Sequence, residues 1–310
     1  MDKTLPNGIH VTMITPFTDD NRIDYAGVEG LLQWYADHQV DGIFALCQSS
    51  EIFFLSFEEK LQLLRFIVKN KPQGLSLIAS GHTADDILTQ QREAAAIAQE
   101  GIDAYVFISN RFATEGEDDR TFLRNAKEVA DSIAGFPLGI YECPYPYKRL
   151  LTPEVLTSLL DIGDFQFLKD TSCSVEQMQA KLAAMKGTKF KLFNANSATL
   201  LESLLIGAHG FSGVMANFHP ELYQALMGAF HTDREKAQRI QDVIGCLSLV
   251  ENQIYPTNAK YYLGTMERLG FGYHTRSRDP GAFTRNRQLE IEQMWALTQT
   301  WKNRENAQIP

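Results

Sequence analysis

The chain has 310 residues, 44% hydrophobic and 22% charged, a globular balance that excludes disordered and fibrous classes and supplies a core needing no disulfides. Its net charge of −9, with basic residues scattered, argues against nucleic-acid and anionic-membrane partners. The four cysteines, Cys47, Cys143, Cys173 and Cys246, match no zinc or CxxC spacing; with no signal-peptide apolar region and no apolar run of about 18 residues, we expect reduced thiols, a cytoplasmic protein and no metal.

Short apolar runs alternate with longer amphipathic segments along the chain. Strands are predicted over 9–14, 42–46, 75–80 and 103–108, with helices over 25–38, 57–70, 84–99 and 118–133. The alternation continues with strands over 137–141, 165–169, 189–194 and 210–214 and helices over 153–160, 175–185, 198–206 and 220–229. Ser56 three residues before Glu59 forms a capping box, and Thr152-Pro153-Glu154 sets a cap before a first-turn proline. Strand–helix alternation implies a parallel sheet, and eight units of roughly 25 residues imply closure into a (β/α)8 TIM barrel, an α/β fold. A doubly wound open sheet is the alternative, weakened by the lack of GxGxxG after the first strand. Helices over about 232–250, 256–269 and 283–301 follow, so we read a barrel over 1–230 and a C-terminal helical extension over 231–310, packed as one unit.

Active sites of such barrels lie at the C-terminal ends of the strands, which shortens the list of candidates. Lys169 ends the apolar run Phe165-Gln166-Phe167-Leu168. Pointed into a partly dry cavity, its ammonium is disfavoured and its amine becomes a nucleophile toward carbonyls. The bland alternative is a strand-end lysine snorkelling to water. Tyr141 ends the neighbouring strand and could relay a proton, or simply cap the barrel mouth. Ser49 and Ser50, after the second strand, offer hydroxyl and N–H donors for a carboxylate, or ordinary loop chemistry; Glu51 could tie that loop down. The histidines do not pair at metal-ligand spacing, and Cys47, Cys143 and Cys173 read as small apolar fillers near strand ends.

These residues resemble the dihydrodipicolinate synthase / N-acetylneuraminate lyase family of class I aldolases over roughly residues 8–300. The likeness rests on Thr15-Pro16-Phe17, on Gly42-Ile43-Phe44 leading to Ser49-Ser50-Glu51, on Tyr141 with Pro144, on Leu168-Lys169-Asp170-Thr171-Ser172 and on Gly207 through Asn217. The resemblance implies that Lys169 condenses with pyruvate or a related 2-oxo acid, the covalent imine replacing any cofactor. It implies that Tyr141 relays protons, that Ser49, Ser50 and Gln48 form the carboxylate loop, and that Ser212 lies beside the bound keto acid. It also implies a homo-oligomer, dimer or tetramer.

Departures bear on the substrate. The family's loop usually reads Gly-Thr-Thr-Gly-Glu; here it is Cys47-Gln48-Ser49-Ser50-Glu51, with both glycines lost, so positive φ is harder to adopt. Phe112 stands where the synthases carry an interface tyrosine, and Pro146 where they carry a substrate-binding arginine. We therefore read a lyase or aldolase of unassigned substrate rather than a true dihydrodipicolinate synthase. A barrel that binds 2-oxo acids without turnover is the alternative. Tyr145, Tyr147, Gln48 and Arg111 are the candidate contacts for the rest of the substrate.

Overall fold

A computed structural model describes residues 4–307, with side chains through 303; the outermost ends of the two sequence-predicted units, 1–3 and 308–310, lie outside them. Eight parallel strands close in sequence order into a barrel. They are β1 (Gly8–Thr12), β2 (Gly42–Ala45), β3 (Ser76–Ala79), β4 (Ala104–Ile108), β5 (Leu138–Tyr141), β6 (Phe165–Asp170), β7 (Lys191–Asn194) and β8 (Gly210–Phe211). Outside them run α1 (Tyr25–Asp37), α2 (Phe57–Asn70), α3 (Ile87–Ala98), α4 (Asp119–Asp131), α5 (Pro153–Leu160), α6 (Val175–Ala184), α7 (Leu200–Leu205) and α8 (Pro220–Ala229).

The strands are short apolar runs because helices cover one face and barrel packing the other; all but Lys191 are buried along their length. The barrel interior is filled by rings. His10 meets Phe193 edge-on at 4.7 Å, Phe193 stacks on Phe167 at 4.7 Å, and Phe167 meets Phe44 at 5.9 Å. These rings make a dry floor beneath the C-terminal rim. The barrel closes where Gly210 pairs with Gly8, and a Cβ on Gly210 would lie 1.9 Å from the Gly8 carbonyl oxygen.

Helix starts follow local chemistry. Ser56 and Glu59 exchange the two bonds of a capping box, 3.2 and 2.8 Å. Helix α3 begins at Ile87, three residues later than expected, because Asp86 accepts the Thr89 N–H as its cap. Strand β8 is two residues long rather than five, and its chain turns into a 3-10 segment at Val214–Asn217. Gly213 is the pivot, since a Cβ there would meet the Ala195 carbonyl oxygen at 2.4 Å.

The extension comprises α9 (Arg234–Leu247), α10 (Thr257–Tyr261) and α11 (Arg285–Ala307). The single helix expected over 232–250 instead breaks into a 3-10 segment, Ser248–Asn252, and the one expected over 256–269 passes into a π-helical turn, Tyr262–Met266. Helix α9 packs on α8. Glu267 accepts from Trp34 of α1 at 3.3 Å and from Trp295 of α11 at 2.7 Å, joining barrel and extension. No helix of the described residues is long and apolar enough to cross a membrane.

Candidate active site

A cavity of about 320 Å³ opens at the C-terminal ends of the strands, with Lys169 and Tyr141 in its wall. Pairing of β5 with β6 sets these two residues side by side. Lys169 is 3% exposed, and its Nζ lies 4.4 Å from the Tyr141 ring centroid and 5.9 Å from that of Phe44. Burial lowers its pKa to about 8, with the nearby Cys47, Cys143 and Glu251 pulling the other way. At pH 7 about one amine in ten is then neutral, against roughly one in three thousand for an ordinary lysine. Burial in the barrel thus enlarges the neutral fraction of this amine.

The Tyr141 phenol is buried, which raises its pKa well above the ordinary value. It donates to the amide oxygen of Gln48 at 3.1 Å. Gln48 belongs to a short 3-10 turn, Gln48–Ser50, after β2. The positions of the missing family glycines need no positive φ here: Cys47 has φ −110°, and Ser50 sits within the turn. The left-handed conformations fall instead on Leu46 (φ 49°) and Glu51 (φ 59°), each costing about 1 kcal/mol.

Glu51 is held there from the extension. Its carboxylate pairs with Lys260 Nζ at 2.5 Å and accepts from Thr275 Oγ1 at 2.6 Å and from the N–H groups of Arg276 and Ser277, both at 2.7 Å. Burial alone would raise this carboxyl, but Lys260 and these donors hold it below the usual carboxylate range. The tie expected of Glu51 therefore reaches across the molecule to α10 and to residues 275–277 of the extension.

The other sequence candidates are placed unevenly. Gln48, Ser49 and Tyr145 line the cavity. Ser50 does not: its hydroxyl donates to the Met13 carbonyl at 2.7 Å and accepts the Cys47 N–H at 3.2 Å, bracing the loop on the end of β1. Ser212 is fully buried just behind the cavity residue Gly213, and its Oγ has no partner among the described residues. Arg111 and Tyr147, expected as substrate contacts, stand outside the wall. Arg111 is drawn back to Asp85 at 2.6 Å and to the Thr83 and Ala84 carbonyls, while the Tyr147 hydroxyl donates to the Ala113 carbonyl. Cys47 and Cys143 are buried, but Cys173 is exposed at the cavity mouth, where Asn196 Nδ2 reaches it at 3.2 Å, so the reading of it as an apolar filler does not hold.

Two features went unread in the sequence. Glu251, in the 3-10 segment of the extension, lines the cavity and acts electrostatically on Lys169. A single residue near the end of a helical pattern carries no local signal of this. The second is a buried ion cluster behind the rim. Lys181 of α6 contacts Glu142 Oε1 and Asp170 Oδ2, both at 2.6 Å, and those carboxylates directly follow Tyr141 and Lys169. Glu142 also accepts the N–H groups of Leu151 and Thr171, and Asp170 that of Ser172. Burial opposes the Lys181 charge, but the two carboxylates outweigh it. Among the described residues no group of three or more His, Cys, Asp or Glu side chains is arranged to hold a metal.

A model of the Dihydrodipicolinate synthetase family matches residues 5–295. Curated relatives include the 4-hydroxy-tetrahydrodipicolinate synthase of Staphylococcus haemolyticus, 24% identical over 268 residues covering 86% of this chain and 87% of that protein. The enzyme of the same name from Thiobacillus denitrificans is 25% identical, covering 76% and 79%. Among solved structures, a dihydrodipicolinate synthase from Bacillus anthracis superimposes with a TM-score of 0.86 at 20% identity, covering 95% of this chain and 99% of that one. The sialic acid aldolase of Ruminococcus gnavus gives 0.86 at 18%, covering 96% and 98%. A prophage protein of E. coli K12, solved with pyruvate, gives 0.84 at 23%, covering 96% and 98%. At these identities the structural likeness carries the fold.

Proposed function

The chain belongs to the dihydrodipicolinate synthetase family, whose members are class I lyases or aldolases, and on that premise we propose that Lys169 forms a Schiff base with pyruvate or a related 2-oxo acid. The observation that carries this reading is a lysine 3% exposed on an aromatic floor, inside the cavity at the end of β6. The neutral amine attacks the keto carbon, water leaves, and the protonated imine becomes an electron sink. In a 4-hydroxy-2-oxo acid the C4 hydroxyl then gives its proton to water, its O–H pair forms the new C=O bond, the bond between C3 and C4 breaks with its electron pair passing into the enamine, and an aldehyde departs. In reverse, the enamine adds to an aldehyde.

The substrate carboxylate is assigned to the Ser49 side of the loop and to the unpartnered hydroxyl of Ser212, with Gln48 and Tyr145 facing the remainder. Tyr141 supplies the proton during imine formation. Tyr141→Phe keeps the ring under Lys169 but removes the hydroxyl, so turnover falls by about 100-fold. Pyruvate release from a panel of 2-oxo-3-deoxy sugar acids and 4-hydroxy-2-oxo acids, measured for both proteins, tests the reading. Release from no member, with ligand-induced thermal stabilisation, would favour the second reading of a non-catalytic binding barrel. That second reading draws on the Gln48 amide oxygen, which accepts the Tyr141 proton but has none to pass on.

We place the activity outside that of the 4-hydroxy-tetrahydrodipicolinate synthases. Phe112 lacks a hydroxyl, is 1% exposed and stacks on His82 of its own chain at 5.1 Å, and Pro146 carries no charge. Synthase product formed at a rate matching pyruvate release would overturn this. The dimer or tetramer implied by the family is checked by light scattering, where a monomer would contradict it.

A further inference from the structure

The cavity wall holds two carboxyl groups, Glu51 and Glu251. Both oxygens of Glu51 are engaged, Oε1 by Lys260 and Oε2 by Thr275 and the Arg276 and Ser277 N–H groups. The Glu251 carboxyl has no hydrogen-bond partner among the described residues. It stands on the 3-10 segment Ser248–Asn252, which packs against the Val214–Asn217 turn after β8. It therefore reaches the cavity from the β8 side, while Tyr141 approaches from β5. It is half-buried, so water can exchange its proton. The groups acting on it are Lys169 of β6, Tyr223 of α8 and Tyr255, which follows in the extension. Tyr141, on the opposite side of Lys169, donates to the Gln48 amide oxygen and is assigned the proton of imine formation.

We propose that Glu251 moves the proton between C3 of the pyruvyl imine on Lys169 and solvent. This rests on the Schiff-base reading. The Glu251 carboxylate takes a proton from the C3 methyl; the C–H pair becomes the C2–C3 double bond, and the C2–N π pair returns to nitrogen. The products are a neutral enamine and a carboxylic acid, and the reverse step returns the proton, so no other reactant is needed. Burial pushes the Glu251 pKa up to about 7, with Lys169 pulling it back, so the carboxylate forms as pH rises through neutrality. Tyr223 and Tyr255, both raised by burial, stay protonated over that range.

The test is exchange of the pyruvate methyl protons in D₂O, followed by proton NMR, with borohydride trapping of pyruvate run in parallel. The wild-type protein exchanges the methyl, faster as pH rises through about 7. Glu251→Gln slows exchange by about 100-fold and loses the rise centred near 7, leaving the one near 8 that follows the neutral Lys169 amine, while pyruvate is still trapped on Lys169. Glu251→Asp keeps part of the rate and that first rise, and serves as the decisive variant if Glu251→Gln fails to trap. A trapped wild-type protein whose exchange is unchanged in the Gln variant, or which shows no exchange, overturns the role of Glu251 alone. A wild-type protein that traps nothing overturns the Schiff-base reading and this inference with it.

Discussion

Lys169→Met abolishes turnover, by about 10,000-fold or more, and at the same time makes the protein more stable. The first effect follows from removing the nucleophile, without which no electron sink forms. The second follows from the position of Lys169. A pKa lowered from 10.5 to about 8 by burial means that the fold disfavours the charged amine. At 1.36 kcal/mol per pK unit, that penalty is on the order of 3 kcal/mol at pH 7. Methionine has a similar length and no charge, so it removes the penalty on the floor of Phe44 and Phe167. The sign gives a further check. Because the folded pKa is depressed, the penalty is full below pH 8 and fades as pH rises from 8 to 10.5. Thermal unfolding should therefore show the variant ahead at pH 7 and level with wild type near pH 10.5. A variant less stable at pH 7 would mean that Lys169 is not penalised by its site.

Lys181→Met has the opposite effect on stability. It leaves Glu142 and Asp170, both fully buried, without the ammonium that lies 2.6 Å from each. Removing one partner of a buried ion cluster costs about 3–5 kcal/mol, because the remaining charges have lost both water and counterion. The deficit depends on pH. Burial already raises the Glu142 pKa, and Asp170 adds to it. Without Lys181 the folded state binds a proton more tightly still, so stability lost to the mutation is partly restored at low pH and falls as pH rises. Denaturant midpoints at pH 5 and pH 8 check this, with the larger deficit expected at pH 8. The cluster matters for the site because Glu142 and Asp170 directly follow Tyr141 and Lys169 and anchor the Thr171 and Ser172 amides. A deficit equal at both pH values would mean that the carboxylates find other partners.

The barrel was legible because its strands are buried on both faces and read as bare apolar runs, and because Ser56, Thr152 and their partners mark helix starts. Lys169 and Tyr141 were legible because strand pairing places adjacent strand ends together. What depends on loop path was not legible. Ser50 carries the right hydroxyl, but the turn uses it to hold Met13. Arg111 carries a cation in the right stretch, but the chain folds it back to Asp85. Glu251 lies 82 positions beyond Lys169, and only the packing of the 3-10 segment on the turn after β8 brings it to the cavity. The family likeness covers the barrel and carries the proposed lysine chemistry, whereas Gln48, Phe112 and Pro146 are the positions where the sequence is expected to depart from the family pattern.

On the proposed reading Lys169 forms an imine with a 2-oxo acid. Borohydride reduction in the presence of pyruvate, followed by peptide mass analysis, tests it without knowledge of the second substrate. One reduced pyruvyl group is expected on the peptide carrying Lys169 and none on the Lys169→Met protein. An unmodified Lys169 after reduction with pyruvate and the 2-oxo-acid panel, or an adduct confined to another lysine such as Lys148, would contradict it.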